Sequence, residues 1–263
     1  KQHSALAFAQ QRLWFLSQLE GQNATYLISG AVQMTGQLAV GVLDRVFSEL
    51  IRRHEALRTT FIEVEGNPVA RLLPEQDFKI TQISVEQHAP AEQANAIQQL
   101  ITQETNQPFD LTSDVLLRVV LIRKTPTSHV MVMTLHHIIS DEWSMAMLQH
   151  EVVQLYHAYL KELPSPLAEL SLQYADYASW QRHWFTRERL AEKMMYWVEQ
   201  LRGAPALLEL PTDHARPAIA GRRQLDERID RAVDAAQATV GPGAARTARP
   251  PATGCPYHKA RPA

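Results

Sequence analysis

The chain has 263 residues, of which 45% are apolar and 21% charged, and its 26 basic and 28 acidic side chains leave a formal charge of -2. This length can build a stable core without disulfides or metals, and the near-neutral charge offers no basic field to bind nucleic acid or an anionic membrane. With a single cysteine, Cys255, and no apolar run long enough to cross a bilayer, we expect a cytoplasmic protein without nucleic-acid or membrane partners.

The first elements follow from hydrophobic spacing. Leucines three residues apart predict a helix over 7–19. Residues 26–36 are rich in β-branched and small side chains and predict a strand. A second helix is predicted over 40–54, because its apolar residues follow the i, i+3, i+4, i+7 pattern of one buried face. These apolar residues are Leu43, Val46, Phe47, Leu50 and Ile51.

A hairpin and a polar helix come next. Residues 57–64 and 68–73 predict two antiparallel strands, and we expect the Gly-Asn pair between them to supply the positive φ of the turn. A further strand is predicted near Ile80. A helix is predicted over 90–105, where Pro suits the first turn, with most of its surface in solvent.

The second half of the structured region begins with two apolar runs, 115–123 and 129–135, which predict an antiparallel pair at the buried centre of a sheet. A long helix is predicted over 143–161, where prolines end it. A last helical stretch, 172–202, should be divided in its middle. Its six tyrosines and tryptophans lie at helical spacing and predict core positions.

The composition changes near residue 210, after which Ala, Arg, Pro and Gly dominate. We therefore predict a structured domain over 1–221 and an unrelated, poorly ordered tail over 222–263. Because the chain begins at Lys1 without Met, we expect it to be part of a longer protein. The elements together predict an α/β or α+β fold in which one mixed sheet is covered by helices.

The feature that best suits chemistry is a pair of histidines, His136 and His137, at the end of an apolar strand. Neighbouring residues of a strand point to opposite faces, so only one of the two can serve a given site. This argues against a shared metal ion, and no H-E-x-x-H zinc spacing occurs. A neutral imidazole can accept a proton from an attacking amine, alcohol or thiol, which suits acyl transfer.

A purely structural interpretation of these residues is equally open from local physics. Both histidines would then be hydrogen-bonded core residues, and Asp141 would be the N-cap of the helix that begins near Trp143. Other chemistries have less support. The sequence has no G-x-S-x-G elbow and no glycine-rich phosphate loop, and Cys255 lies in a Pro-rich segment.

Four segments resemble, in order, the motifs of condensation domains from non-ribosomal peptide synthetases. They are AFAQQRLWFLSQL at 7–19, RHEALRTTF at 53–61, LHHIISDEWS at 135–144 and YADYASW at 174–180. The resemblance covers about 4–217. Any one motif could arise by chance, but four in this order are highly specific for the family.

The resemblance implies a chloramphenicol-acetyltransferase-like lobe and an acyltransferase activity. The expected reaction forms an amide between a donor acyl or peptidyl thioester and the α-amine of an acceptor aminoacyl thioester, with an L-donor and an L-acceptor. His137 would deprotonate or position this amine, and Asp141 would pair with Arg58 to hold the histidine-bearing loop. The other supporting residues would be His136, Ser140, Glu142 and Trp143.

The resemblance also implies partners. Both substrates would arrive on the phosphopantetheine arms of donor and acceptor peptidyl carrier proteins, with no cofactor bound by the chain itself. Adenylation and thiolation domains would be adjacent. The family has a second, C-terminal lobe of comparable size, and its motifs do not appear in this sequence.

One position departs from the family pattern, which usually has Gly where this chain has Glu142. A carboxylate there either changes the charge beside His137, narrows the channel or faces solvent at the first turn of the helix. Since the second lobe is missing, the isolated lobe could be inactive. Two other functions stay open: a stand-alone HHxxxD acyltransferase acting on an alcohol or amine, and a non-catalytic remnant that binds carrier proteins.

Overall fold

The computed structural model describes residues 3–21 and 23–205, and the predicted tail over 222–263 lies outside them. The strands are β1 (His3–Ala5), β2 (Leu27–Thr35), β3 (Thr59–Val64), β4 (Asn67–Leu72), β5 (Thr81–Ser84), β6 (Leu117–Thr125) and β7 (Ser128–His136). The α-helices are α1 (Phe8–Glu20), α2 (Val40–Arg53), α3 (Pro90–Asn106), α4 (Glu142–Leu160), α5 (Tyr174–Trp184) and α6 (Arg187–Gln200). A short 3-10 helix spans Glu55–Arg58.

The strands form two sheets where the sequence predicted one. The larger sheet has the order β2-β7-β6-β5, with β5 parallel to β6 and the other neighbours antiparallel, so it is mixed as predicted. The smaller sheet has the order β1-β4-β3 and is antiparallel throughout. The predicted antiparallel pair of apolar strands, β6 and β7, is confirmed at the centre of the larger sheet.

Both faces of the larger sheet are covered, which explains why β6 and β7 are apolar on both faces over 119–122 and 130–133. On β7, Met131, Met133 and Leu135 pack with α2 and α4 on one face. Val130 and Val132 pack with α3 on the other. The alternation places His136 on the same side of the strand as Val130 and Val132.

Helix α2 buries the face that its spacing predicted. Leu43, Val46, Phe47, Leu50 and Ile51 are each at most 1% exposed. They pack against the sheet together with Leu148, Val152 and Leu155 of α4. Because α2 and α4 cover the same face, the start of α4 is held next to the end of β7.

The hairpin of β3 and β4 is confirmed, but its turn differs from the prediction. Glu65 and Gly66 have positive φ angles of 51° and 76°, whereas Asn67 begins β4. Two successive residues with positive φ give a two-residue turn whose twist matches that of the strands. Phe61 of β3 is fully buried in a second core formed with α1 and the segment that precedes β6.

The last helical stretch is divided between α5 and α6 as predicted, but the expectation that its aromatic residues are core is wrong. The exposed fractions of these residues lie between 41% and 58%. None of the described side chains of α6 is buried. Helical spacing of apolar residues predicts an apolar face, and here the described residues do not supply a cover for it. The exposed residues are Tyr174, Tyr177, Trp180, Trp184, Tyr196 and Trp197.

The remaining predicted elements are confirmed with shifts of a few residues at their ends, including the predominantly solvent-facing helix α3. No helix in the described part of the chain combines the length and the apolarity that a membrane crossing requires.

Candidate active site

His136 is the last residue of β7, and its side chain is only 4% exposed. Its Nδ1 accepts a hydrogen bond of 3.0 Å from the backbone N–H of Ile138, which leaves the proton of the neutral ring on Nε2. Burial, and to a smaller extent the neighbouring His137, lower the pKa of His136 to about 4. A ring that is buried and neutral suits packing and hydrogen bonding, and the supporting role of His136 stays a prediction.

His137 lies one residue beyond the strand, and its side chain is exposed. Its backbone N–H donates a hydrogen bond of 2.7 Å to the carbonyl of Tyr26, which precedes β2. The peptide of His137 is therefore fixed while its imidazole reaches solvent. The two adjacent rings separate as expected, although His137 occupies a turn and not the strand itself.

The turn after His137 is tied to the strand by backbone and side-chain bonds. Ile139 N–H and the Ser140 hydroxyl both donate to the carbonyl of His136, at 3.1 Å and 3.2 Å. Gln10 of α1 donates from Nε2 to the carbonyl of Ile138 at 3.3 Å. Ser140 is 8% exposed and Gln10 5%, so these bonds form away from solvent. A rigid turn fixes the position of the exposed imidazole.

Asp141 is the N-cap of α4, as the structural interpretation predicted. Its Oδ1 accepts from the backbone N–H of Ser144 at 2.8 Å and from the Ser144 hydroxyl at 2.6 Å. These bonds, and to a smaller extent the charge of His137, lower the pKa of Asp141. The carboxylate stabilises the helix start and lies close enough to His137 to interact with it electrostatically.

The expected ion pair between Arg58 and Asp141 is wrong for this structure. Arg58 lies at the end of the 3-10 helix and donates from Nη1 to the carbonyl of Leu73 at 2.7 Å. Its Nη2 lies 3.7 Å from Glu55 and 3.9 Å from Glu75. The guanidinium thus binds the segment after β4, whereas Oδ1 of Asp141 accepts from Ser144.

The remaining two candidates are on the surface. Glu142 occupies the first turn of α4 and is exposed, which matches the solvent-facing alternative given for this position. A negative charge in the first turn interacts favourably with the helix dipole. Trp143 follows it and is 77% exposed. Neither side chain holds the turn that carries His137.

The sequence interpretation missed a buried polar cluster behind the turn. Glu151 of α4 lies 2.5 Å from Nε2 of His54 and 3.3 Å from Nε of Arg53. Gln173 accepts from the N–H of Glu55 at 3.1 Å and donates to the carbonyl of Arg53 at 3.0 Å. The signal that could have revealed the cluster is the position of Glu151, a charged residue on the apolar face of a helix. The cluster ties α2, α4 and the start of α5 together.

The arrangement presents one exposed imidazole on a rigid turn, backed by a buried neutral histidine. Such a group can bind or deprotonate an attacking amine if a substrate is brought to it. Within the described residues, no group of three or more His, Cys, Asp or Glu side chains is placed to hold a metal ion.

Known proteins similar to this chain belong to the family that the sequence motifs resemble. A family model described as "Condensation domain" matches residues 1–239. Malpinin synthetase of Mortierella alpina is 42% identical over 213 residues, which make up 81% of this chain and 3% of that protein. A phosphinothricin tripeptide synthetase of Streptomyces viridochromogenes is 35% identical over 215 residues, 82% of this chain and 20% of that protein. The chain therefore spans a small part of either relative. The family match extends past residue 221, so the predicted boundary there stays a prediction.

Solved structures agree with this match in fold. The complex of the X-domain and OxyB from teicoplanin biosynthesis matches with a TM-score of 0.72 and 27% identity, over 83% of this chain and 48% of that chain. The first condensation domain of the CDA synthetase matches with a TM-score of 0.69 and 20% identity, over 80% of this chain and 53% of that chain. At 20% identity, the match to the CDA synthetase domain shows a shared fold and nothing further. The chain spans about half of either structure.

Proposed function

This chain belongs to the condensation-domain family, and from that premise we propose that it supplies the histidine-bearing half of a catalyst for amide bond formation. The substrates would be a donor acyl or peptidyl thioester and the α-amine of an acceptor aminoacyl thioester. The relatives are peptide synthetases, which supports this choice of reaction over other acyl transfers.

The observation that carries the proposal is the contrast between His137 and its surroundings. The imidazole is exposed, while its own backbone N–H and the turn that follows are held by hydrogen bonds to Tyr26 and His136. We assign His137 the role of accepting a proton from the acceptor amine or of positioning it. A proton acceptor held in place in this way contributes a rate factor of about 10² to 10⁴ in other enzymes.

A second half of the domain is proposed as a partner of the exposed C-terminal helices. The matched solved structures are about twice as long as the aligned part of this chain. The large aromatic residues of α5 and α6 are exposed in the described part of the chain, and a surface of this kind marks an interaction site. We propose that the second half packs against this surface and completes a channel over His137.

The further partners are proposed from the family. Donor and acceptor peptidyl carrier proteins would deliver the substrates on phosphopantetheine arms, beside adenylation and thiolation domains of the same synthetase. The reaction needs no cofactor bound by this chain, since thioester energy drives amide formation. The single cysteine agrees with a reducing compartment, so we place the reaction in the cytoplasm.

Binding without catalysis is the second candidate function. It is favoured by the solved complex of the X-domain with OxyB, a match of this fold in contact with another protein. In that case the chain would bind carrier proteins and form no amide. A stand-alone acyltransferase is the third candidate, and self-association that completes its site would distinguish it.

A single-turnover assay tests the proposal. The chain is mixed with donor-loaded and acceptor-loaded carrier proteins, and the products are identified by mass spectrometry beside His137→Ala. An amide product that needs His137 supports the proposed function. Carrier binding without product, in this chain and in a two-lobed protein that adds the second half, would support the binding function and overturn the catalytic one.

A further inference from the structure

A cavity of about 240 Å³ lies beside the turn that carries His137. Ile139 and Ser140 of that turn form one wall, and Ser144 and Met147 of α4 form the next. Leu170, Leu172 and Gln173 of the segment before α5 also line the cavity. Ile139 and Ser140 follow His137 by two and three residues, so the cavity and the imidazole share one short loop.

A hydrogen bond also connects the wall of the cavity to the same loop. Tyr174, the first residue of α5, lines the cavity. Burial, then the neighbouring Tyr177 and Asp141, raise the pKa of the Tyr174 hydroxyl. Asp141 in turn interacts with His137. Ser144, which also lines the cavity, donates a hydrogen bond of 2.8 Å to Asp141, so the cavity lies next to the loop that carries His137.

The lining is apolar at the floor and open at the mouth. Leu57 and Leu148 are 3% and 6% exposed and lie at the floor, whereas Met147 and Leu172 are 47% and 72% exposed and border the mouth. Of the described residues in the wall, only His54 has a side chain that can bear a positive charge, and its Nε2 is already bound to Glu151. A charged group that entered would lose hydration without a free partner of opposite charge.

The walls are fixed before any ligand arrives. Glu151 binds His54 and Arg53, and Gln173 joins the backbone of Arg53 and Glu55 to the start of α5. A pocket whose walls are already ordered costs little to organise on binding. For size, a cavity of about 150 Å³ accommodates benzene, so this one has room for a branched aliphatic or aromatic side chain.

We propose that this cavity is a specificity pocket for the uncharged, branched or aromatic side chain of a carrier-borne aminoacyl substrate. The inference rests on the proposed function, since it identifies the substrate class of the same site. Met147 and Leu172 control entry to the pocket, and Leu57 and Leu148 form its floor.

The test measures binding without turnover, on the full 263-residue chain. The probe is the non-hydrolysable 4-fluoro-L-phenylalanyl pantetheine amide, which keeps the free α-amine of an aminoacyl substrate and is followed by its ¹⁹F signal. Unlabelled glycyl and aspartyl analogues compete for the site. We expect the phenylalanyl analogue to bind about tenfold or more tightly than the glycyl analogue, because it buries an aromatic ring. The aspartyl analogue should bind no more tightly than the glycyl analogue.

Two variants and a control locate the site. Met147→Trp fills the mouth and should weaken the phenylalanyl probe at least tenfold while leaving the glycyl analogue unchanged. Leu172→Lys, at a highly exposed position that tolerates substitution, should shift the preference toward the aspartyl analogue. Val153→Trp is the matched control, because Val153 is an apolar residue of α4 that is 54% exposed and does not line the cavity. It should change no affinity more than twofold.

The outcomes separate this inference from the proposed function. Equal binding of the phenylalanyl and glycyl analogues, no binding of the probe, or equal effects of the two Trp variants would overturn the pocket. Amide formation with any of these results would leave the proposed function standing. Discrimination by the pocket without any amide product would support the pocket and contradict catalysis by this chain.

Discussion

The end of the larger sheet and the C-terminal helices differ in what covers them. At the end of β7, Leu135 and His136 are 0% and 4% exposed, because α2, α4 and the segment before β6 enclose them. Helix α6 also contains large apolar side chains, yet Trp197 is 58% exposed and no described residue of the helix is buried. Apolar spacing thus determines which face of an element is apolar, whereas burial depends on a partner element elsewhere.

The largest effect should come from a buried ion pair at the sheet end. Glu151→Ala leaves Arg53 buried without its carboxylate and should lower the free energy of unfolding by about 3 to 5 kcal/mol. In α6, Glu199→Ala removes an exposed pair with Arg202 and should cost at most about 1 kcal/mol. Urea unfolding followed by circular dichroism measures both. Equal losses would remove the distinction between the two regions.

The second comparison concerns apolar truncation. Leu135→Ala removes a fully buried side chain and should cost about 3 kcal/mol, through lost transfer energy and a cavity. Trp197→Ala removes a larger but exposed side chain and should change stability by less than about 0.5 kcal/mol. Denaturant midpoints of the two variants and the parent measure both losses of stability. A large loss for Trp197→Ala would show that α6 is packed against the rest of the chain in solution.

The third prediction uses the pH dependence of the buried histidine. The pKa of His136 is about 4 in the folded chain, below its ordinary value of 6.5, so between these pH values the unfolded chain binds more protons. Stability from this group is therefore present above the unfolded pKa and lost as the pH falls. From pH 7 to pH 5 the loss should be on the order of 2 kcal/mol.

The variant His136→Gln tests this directly, since it removes the titrating group. Unfolding free energies of parent and variant are measured at pH 7 and pH 5, and the parent should lose more between the two values. If both proteins lose the same amount, the ring of His136 is not the buried neutral group described above.

The smallest changes in stability are expected at the N-caps of α4 and α6. Asp141→Ala removes the side chain that accepts from Ser144 and should cost about 1 kcal/mol. Thr186 caps α6 by accepting from Arg189 N–H, but this helix has no buried face among the described residues. Thr186→Ala should therefore lower global stability by less than about 0.5 kcal/mol while fraying α6, because a helix that can open by itself is not part of the cooperative core. Hydrogen exchange of the two helices distinguishes local from global effects, and faster exchange across the whole protein in Thr186→Ala would contradict the assignment.

Periodicity predicted the elements well because it reads local geometry. The face of α2 and the pairing of β6 with β7 both follow from residue spacing along one segment. The turn between β3 and β4 was assigned to the wrong residues, because Glu65 accepts a positive φ that its residue type does not favour. The split into two sheets could not be read from the chain, since it depends on which strands pair.

For the candidate site, sequence reasoning predicted the separation of His136 from His137, and it offered the capping role of Asp141 as the structural alternative to a pair with Arg58. It gave Arg58 the wrong partner, because the position of Leu73 and Glu75 relative to the 3-10 helix is a tertiary property. Glu151 and Gln173 were missed for the same reason. Their partners are about a hundred residues away in sequence and close only in the fold.

We propose that His137 acts on the substrate while its neighbours hold the structure. The most direct test is the single-turnover rate of amide formation with loaded carrier proteins, measured for His137→Ala in a protein that also carries the second half. His150→Ala is the control, as it replaces another exposed histidine, on α4. We expect a loss of about 10² to 10⁴ in rate for His137→Ala, with an unchanged unfolding midpoint, and a normal rate for His150→Ala. An unchanged rate in His137→Ala, or a loss explained by unfolding, would contradict the proposal.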